Sequence, residues 1–462
     1  MNIKLLDGQK IAVQDTPFAS GAKGACFLSS DKKQVVKLFT NIPDTTIDIL
    51  RAIIGRYHPF RNLSSDDQQF YGAHLCWPTG IAVAPSLGVI MPRVTLPFRL
   101  TELLMPKWRK LKVPADKKGT IIGHLGITLR LARAVRLFHN NGLCHSDLSL
   151  NNAMVNPITG EMTMIDLDGL VIEGMIPPVV YGTPGFMAPE IVIGKTHPTI
   201  QTDRHALAVI FFKTLLFRHP LAGKRTFSGC DAFSEDRLMY GEQPLYTDHP
   251  TDSGNRPRGG YVPVSSLGPH LETLFSHTFV DGIADPECRP LASDWESGIL
   301  KTLDRVIPCA NQRCEAKAFV VTDKFSGKCP YCGDNSLRNT ELPILRMYRS
   351  AGSIGMYNPE TNDGGSYLLV CPNGFTLHEW HLKPGVITST TDRSPYATVM
   401  YDARKREWYL KNHRIDNLYW VDDKGRQYCP VGKSIPLKPS NQLQLGVDRN
   451  SRLALVEFHR LS

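Results

Sequence analysis

Apolar positions along the chain change their spacing several times, and each change predicts a different element. In residues 1–40 they fall in short runs suited to strands: Ile11-Ala12-Val13, Ala25 to Leu28 and Gln34 to Phe39, with a glycine-containing turn from Ala19 to Gly24 between the first two. From Thr45 to Ile54 the period becomes helical, with Ile47, Leu50 and Ile54 on one side. Gly88 to Val94 reads as a strand running into an extended link, where the missing Pro92 N–H costs nothing. Ile121 to Asn140 predicts a long amphipathic helix, closed by Asn140-Asn141-Gly142. A short apolar strand then ends at Met164-Ile165-Asp166. From about Pro343 the pattern is all-β: Tyr367–Val370, Ala397–Tyr401, Trp408–Leu410 and Leu453–Phe458, separated by Gly, Pro, Asn and Asp turns. The fold class expected is α+β, with an all-β end.

Composition narrows this picture only in places. A chain of 462 residues is long enough for two to four domains, each with its own core. The net charge of +9 favours anionic partners such as a nucleotide, but no basic stripe of the kind that binds nucleic acid is present. No run of about 18 apolar residues exists; the best candidate, Ala206 to Phe217, is short and interrupted by Lys213. The first residues, Met1 to Asp7, lack the apolar core of a signal peptide. Of eleven cysteines, four cluster and seven are scattered, which is the usage of a reducing compartment with one metal site. A cytoplasmic protein with no membrane partner is expected.

Candidate chemistry concentrates between His145 and Glu190. Phosphoryl transfer needs a carboxylate beside the acceptor hydroxyl and two further groups that hold a divalent metal against the phosphates. Asp147 supplies the first, Asn152 five residues later an amide ligand, and Asp166 after its apolar strand the second ligand. Gly182-Thr183-Pro184 and Ala188-Pro189-Glu190 follow. This order resembles the eukaryotic-type (Hanks-type) protein kinase family. The resemblance covers roughly residues 8–305 and implies a bilobal kinase domain over 1–305, with an N-lobe of about 1–92 and a C-lobe of about 95–305.

The resemblance also implies site roles. Asp147, Lys37, Asn152 and Asp166 would be catalytic, with Asn152 and Asp166 holding Mg²⁺ or Mn²⁺. ATP would lie against Ala19, Gly21, Gly24, Cys26, Val36, Lys37, Met91, Pro92 and Val94, with Met91 as gatekeeper and Val94 as the N–H donor of the hinge. Thr183 would position the substrate, Asp203 anchor the catalytic loop, and Arg289 pair with Glu190. Several positions depart from the family. Ala19 replaces a glycine, Ser146 an arginine, Ser149 a lysine and Asp168 a glycine. The helix over Thr45–Ile54 has no Glu to pair with Lys37; Asp48 is the nearest substitute, or else a solvated surface carboxylate. Asp166 is preferred over Asp168 as metal ligand because it directly follows the apolar strand. His124 and His139 receive no role.

Past residue 305, Cys309-x4-Cys314-x14-Cys329-x2-Cys332 places two thiolate pairs across a hairpin-length spacer. That suits a closed four-thiolate Zn²⁺ site, which is structural, against the alternative of four unrelated buried cysteines. Residues 306–342 resemble a zinc ribbon. Residues 343–462 resemble a degenerate forkhead-associated (FHA) sandwich, with Arg393, Ser394 and Asn412 at phosphothreonine-reading positions and the Gly-Arg element missing, so a docking sandwich is the favoured reading. Kinase-like region, ribbon and sandwich together resemble the bacterial Ser/Thr kinase of tellurite-resistance gene clusters. That implies protein substrates, a von Willebrand A-type protein and a metal-dependent phosphatase as partners. The leading expectation is an ATP-dependent Ser/Thr kinase in bacterial stress signalling. A pseudokinase scaffold, or nucleotidyl or small-molecule transfer on the same fold, are the alternatives.

Overall fold

The computed structural model describes residues 1–21, 24–40, 46–104, 113–178, 180–227, 231–352, 355–362, 364–385 and 394–462. They gather into two compact units. The first contains Met1–Gly119, Gly126–Arg258 and His277–Ser293; the second contains Thr120–Leu125, Gly259–Ser276 and Asp294–Ser462.

In the first unit, strands β1 (Asn2–Leu5), β2 (Lys10–Ala12), β3 (Ala19–Gly21), β4 (Gly24–Leu28), β5 (Gln34–Phe39), β6 (Gly80–Ala84) and β7 (Gly88–Pro92) form one sheet in the order β2-β1-β6-β7-β5-β4-β3. All its pairs are antiparallel. The hairpin β1–β2 extends the sheet beyond β6, and the apolar pattern had marked only its second strand, around Ile11 to Val13. Period-2 alternation gives the sheet two apolar faces. Ile3, Val13, Val36, Leu38, Ala82 and Ile90 cluster together, while Phe39, Ile81 and Val89 pack with Leu50 of helix α1 (Thr46–Ile54). Helix α2 (Ser65–His74) is capped by Ser64, whose hydroxyl accepts the Asp67 N–H at 3.2 Å. Its end is tied down where the Cys76 N–H donates to the Met164 carbonyl at 2.8 Å.

Further along the same unit, β8 (Phe98–Arg99), β9 (Ala153–Asn156) and β10 (Glu161–Met164) form a small sheet in the order β10-β9-β8. In sequence the helix Ile121–Asn140 precedes β9 and β10. The helix Ile200–Leu216 is buried on nearly every side, which explains its apolar run broken only by Lys213 and Thr214: it is a core helix. Among the described residues no helix is long and apolar enough to cross a membrane.

In the second unit, strand Glu341–Ser350 is central. It pairs with Leu453–Arg460 over eight positions and also with Leu368–Val370. A four-stranded sheet built on Ala397–Asp402 and Glu407–Asn412 completes a β-sandwich around Leu345, Met347, Leu369, Val399, Leu410 and Val456. Leu342 and Ile344 of the same central strand join a second cluster with Ile307, Cys309, Cys314, Phe319 and Cys329. The cysteine-bearing region and the sandwich therefore share a strand and a core rather than forming separate beads. Residues 259–276 and 294–305 belong to this unit as well. Asp304 accepts the Tyr367 hydroxyl at 2.8 Å and pairs with His381 at 3.0 Å, and Arg305, 1 % exposed, bonds Asp323 at 2.6 Å.

Candidate active site

The sheet register decides which side chains can face a nucleotide. Ala19 pairs with Cys26, Cys26 with Lys37, Lys37 with Val89, and Val35 with Met91. Paired residues project to the same face, so Ala19, Gly21, Gly24, Cys26, Val35, Lys37 and Met91 line one side. Val36 does not belong to this set. It is completely buried on the opposite face with Ile3 and Ile90, because neighbouring strand residues alternate, and Val35 takes its place beside Lys37. Gly24 has a φ of +147°, and an added Cβ would come within 2.1 Å of the Leu38 carbonyl oxygen, so only glycine fits there. At the end of β7 the Pro92 carbonyl accepts the Cys76 thiol at 3.3 Å. Burial pushes that thiol up to about 12, so it remains a neutral S–H donor. Val94 follows, half-buried.

Lys37 is 7 % exposed, and its ammonium is engaged by two carboxylates. Its Nζ lies 3.0 Å from each oxygen of Asp168 and also pairs with Asp166. Burial opposes the charged form, but the Asp168 and Asp166 carboxylates outweigh it and raise the Lys37 pKa. Asp48 is not its partner: that side chain is 75 % exposed and bonds Arg51 at 3.1 Å.

The loop that carries Asp147 is held in a strained conformation by a buried carboxylate. Ser146 has a φ of +63° and Asp166 one of +66°, left-handed values that cost a non-glycine residue on the order of 1–3 kcal/mol. Asp203, 2 % exposed, offsets the first by accepting the N–H of His145 at 2.6 Å and of Ser146 at 3.1 Å. His139 donates its Nε2–H to the same carboxylate at 3.3 Å, a role its isolated position on a helix did not disclose. The Thr183 hydroxyl donates to Asp147 Oδ1 at 2.6 Å, and Asn152 Nδ2 donates to the Asp147 carbonyl at 2.7 Å. The Ile165 N–H donates to the Asn152 carbonyl at 2.9 Å, which joins the loop to the strand that delivers Asp166. Lys37, Asp147, Asn152, Asp166 and Thr183 are thus linked through two hydrogen-bonded groups in one unit. Ser149 is buried at 3 % exposure and brings no positive charge.

Beyond Thr183, Arg289 is buried and clamps Glu190 with two bonds of 2.6 and 2.9 Å. Its remaining donors reach the carbonyls of Gly282 at 2.8 Å and Gln201 at 3.1 Å. His219 bonds the Gly185 carbonyl at 2.6 Å through Nε2 and accepts the Leu221 N–H at 3.0 Å through Nδ1. Burial drives its pKa down to about 3, so it is the neutral tautomer.

In the second unit the four cysteines converge. Their Sγ atoms all lie within 4.8 Å of one another, with Cys309–Cys332 at 3.7 Å and Cys314–Cys329 at 3.8 Å. A tetrahedron with metal–sulfur bonds of about 2.3 Å has edges of roughly 3.8 Å, so the cluster fits a tetrahedral metal. Disulfides, at about 2.05 Å, are excluded by the same distances. The backbone N–H of Asp334 lowers the Cys332 thiol to about 7, while burial raises Cys309 and Cys329.

Asn412 does not sit at a loop tip. It is fully buried, its amide donating to the carbonyls of Ile415 at 2.8 Å and Cys429 at 3.0 Å and accepting the Ile415 N–H at 2.8 Å. With these groups committed it fixes a turn instead of reading a phosphate. Ser394 is exposed, and Arg393 lies outside the described residues.

Comparison with known proteins agrees with the first unit. Residues 124–248 match the family model described as Protein kinase domain. The chain is 34 % identical over 125 residues to Protein kinase C-like 2 of Schizosaccharomyces pombe, covering 26 % of this chain and 11 % of that protein. It is 21 % identical over 160 residues to the probable serine/threonine-protein kinase PLK of Dictyostelium discoideum, covering 35 % of this chain and 16 % of the relative. With Protein kinase MCK1 of Saccharomyces cerevisiae the identity is 28 % over 164 residues, 34 % of this chain and 42 % of that one. The chain thus spans about a tenth of the length of the first of these relatives and under half of the others.

Proposed function

We propose that this chain is a protein serine/threonine kinase that transfers the γ-phosphate of ATP to Ser or Thr hydroxyls of itself and of partner proteins. One observation carries the proposal: the Thr183 hydroxyl stands 2.6 Å from Asp147 while Asp166, joined to the same loop, pairs with Lys37. That arrangement supplies a carboxylate base with a hydroxyl beside it and a phosphate-binding cation tied to a joined segment. Asp147 orients the acceptor hydroxyl and takes up its proton. Lys37 neutralises phosphate oxygens from the sheet side. Asn152 and Asp166 are the residues that would hold Mg²⁺ or Mn²⁺, and their donor set of one amide oxygen and one carboxylate suits a hard cation. When bound, the metal supplies the charge that offsets the phosphates, including the charge lost where Ser149 replaces a lysine.

The four-thiolate cluster is proposed to hold one structural Zn²⁺ per chain, because a closed thiolate shell leaves no open coordination position. The β-sandwich is proposed as a docking module that does not read phosphothreonine, a view supported by the internal bonding of Asn412. A cytoplasmic location rests on the cysteine usage and the lack of a long apolar run; a bacterial stress-signalling setting, and a von Willebrand A-type protein and a metal-dependent phosphatase as partners, rest on the sequence resemblance. The deciding experiment is mass spectrometry of purified protein incubated with ATP and Mg²⁺. Added phosphate on Ser or Thr supports the kinase. Added adenylate indicates nucleotidyl transfer, and an unchanged mass with bound ATP indicates a scaffold.

A further inference from the structure

We infer that Asp168 is the positioning residue for Lys37, a role that no carboxylate of helix α1 takes among the described residues, and that Asp166 is the one to hold the metal. The inference rests on the kinase reading above and deepens it. Helix α1 contains no Glu, and its one carboxylate, Asp48, is turned to solvent against Arg51. In helix α2, Asp66 is exposed and Asp67 bonds the Ser64 hydroxyl at the capped end. The lysine is served instead by the segment that follows β10. Asp168 presents both carboxylate oxygens at 3.0 Å from Nζ, and its side chain is only 10 % exposed. Asp166 also pairs with Nζ, through a single oxygen, and is the more open of the two, at 28 %. Leu167 between them is 2 % exposed, so a buried apolar side chain pins the pair in place.

This division of labour follows from the chemistry. A lysine ammonium on a flexible stem needs a fixed anion to hold its direction, and a buried carboxylate close by loses less of its pull to water than an exposed one. Metal must exchange with solvent as nucleotide enters and leaves, which favours the more open Asp166. Because Asp168 lies two residues from the metal ligand, lysine and metal are aligned by one segment. The alignment of Lys37 then does not depend on helix α1.

The test is equilibrium ATP binding, by calorimetry, in EDTA and again with Mg²⁺, on wild type, Asp168→Asn, Lys37→Met and the double variant. Asp168→Asn preserves shape, and circular dichroism checks that it folds. In EDTA it should weaken ATP binding by about tenfold, the size expected for one lost charge-assisted hydrogen bond. The double variant should bind no more weakly than Lys37→Met alone, since the two act as one unit. Asp168→Glu should recover part of the loss, and Asp48→Ala should bind as wild type does. Unchanged binding of Asp168→Asn in EDTA, combined with weakened Mg²⁺ dependence, would make Asp168 a metal ligand and overturn the inference. Additive losses in the double variant would overturn it too. Wild-type protein that binds no ATP under either condition would remove the kinase reading, and this inference with it.

Discussion

Arg289→Met should loosen the segments around Glu190 and Gly282 far more than any surface change. The guanidinium is fully buried and makes four hydrogen bonds, two of them to Glu190, whose own side chain is 14 % exposed. Removing it leaves a mostly buried carboxylate without a counter-charge and strips the Gly282 and Gln201 carbonyls of a donor. Breaking one side of a buried pair costs about 3–5 kcal/mol, because the remaining ion has lost both water and partner. Unfolding of a protein with two units need not be two-state, so a global melting temperature is the wrong measure. Amide hydrogen exchange, read by mass spectrometry on peptides covering residues 185–203 and 277–289, reports the local opening energy. A loss of 3–5 kcal/mol appears there as protection reduced by roughly two to three and a half powers of ten. Arg289→Lys should recover only part, since an ammonium cannot form the two-pronged bond. Glu190→Gln combined with Arg289→Met should lose less than Arg289→Met alone, because no charge is then stranded. A change in protection below about tenfold in Arg289→Met would refute the reasoning, and so would a double variant looser than the single one.

Asp147→Ala and Asp166→Ala should both abolish phosphate incorporation in a radiolabel assay; the first should keep metal-dependent ATP binding and the second lose it. Metal analysis of protein purified without chelator should find one zinc per chain, and Cys329→Ser should destabilise the second unit, seen as increased proteolysis there, because zinc binding is folding energy. The pKa of His219 lies near 3 in the folded chain, below its ordinary value, so the stability it contributes is present above about pH 6.5 and is lost as pH falls towards 3. Acid denaturation should therefore be shallower in His219→Gln, whose slope lacks up to about 1.4 kcal/mol per pH unit from this group. Fully dephosphorylated protein should start at its full rate on a generic Ser/Thr substrate, because Ser146 offers no guanidinium to a phosphorylated segment; a lag relieved by phosphorylation of Thr183 would contradict this.

Residues set close together by local chemistry were legible in the sequence alone. Asp147 and Asn152 share one turn, Asp166 ends one apolar strand, and the cysteine spacing brings thiol pairs together across a hairpin, so short-range geometry is enough to announce each. The long amphipathic helix and the all-β end were legible for the same reason, since hydrophobic period is a local property. Other features depend on partners far along the chain, and only the tertiary structure decided them. Strand register assigned Val35 and not Val36 to the face of Lys37, because a single-residue shift moves a side chain through the sheet. The exposure of Asp48 and the burial of Asp168 decided which carboxylate meets Lys37, a contact spanning 131 residues. His139 found Asp203 across 64 residues, and Asn412 turned inward to satisfy its own loop. The central strand Glu341–Ser350 joined the cysteine-bearing region to the sandwich because its apolar residues serve two clusters at once. A residue's neighbours in sequence announce what chemistry it can do; burial and long-range pairing determine whether it does it.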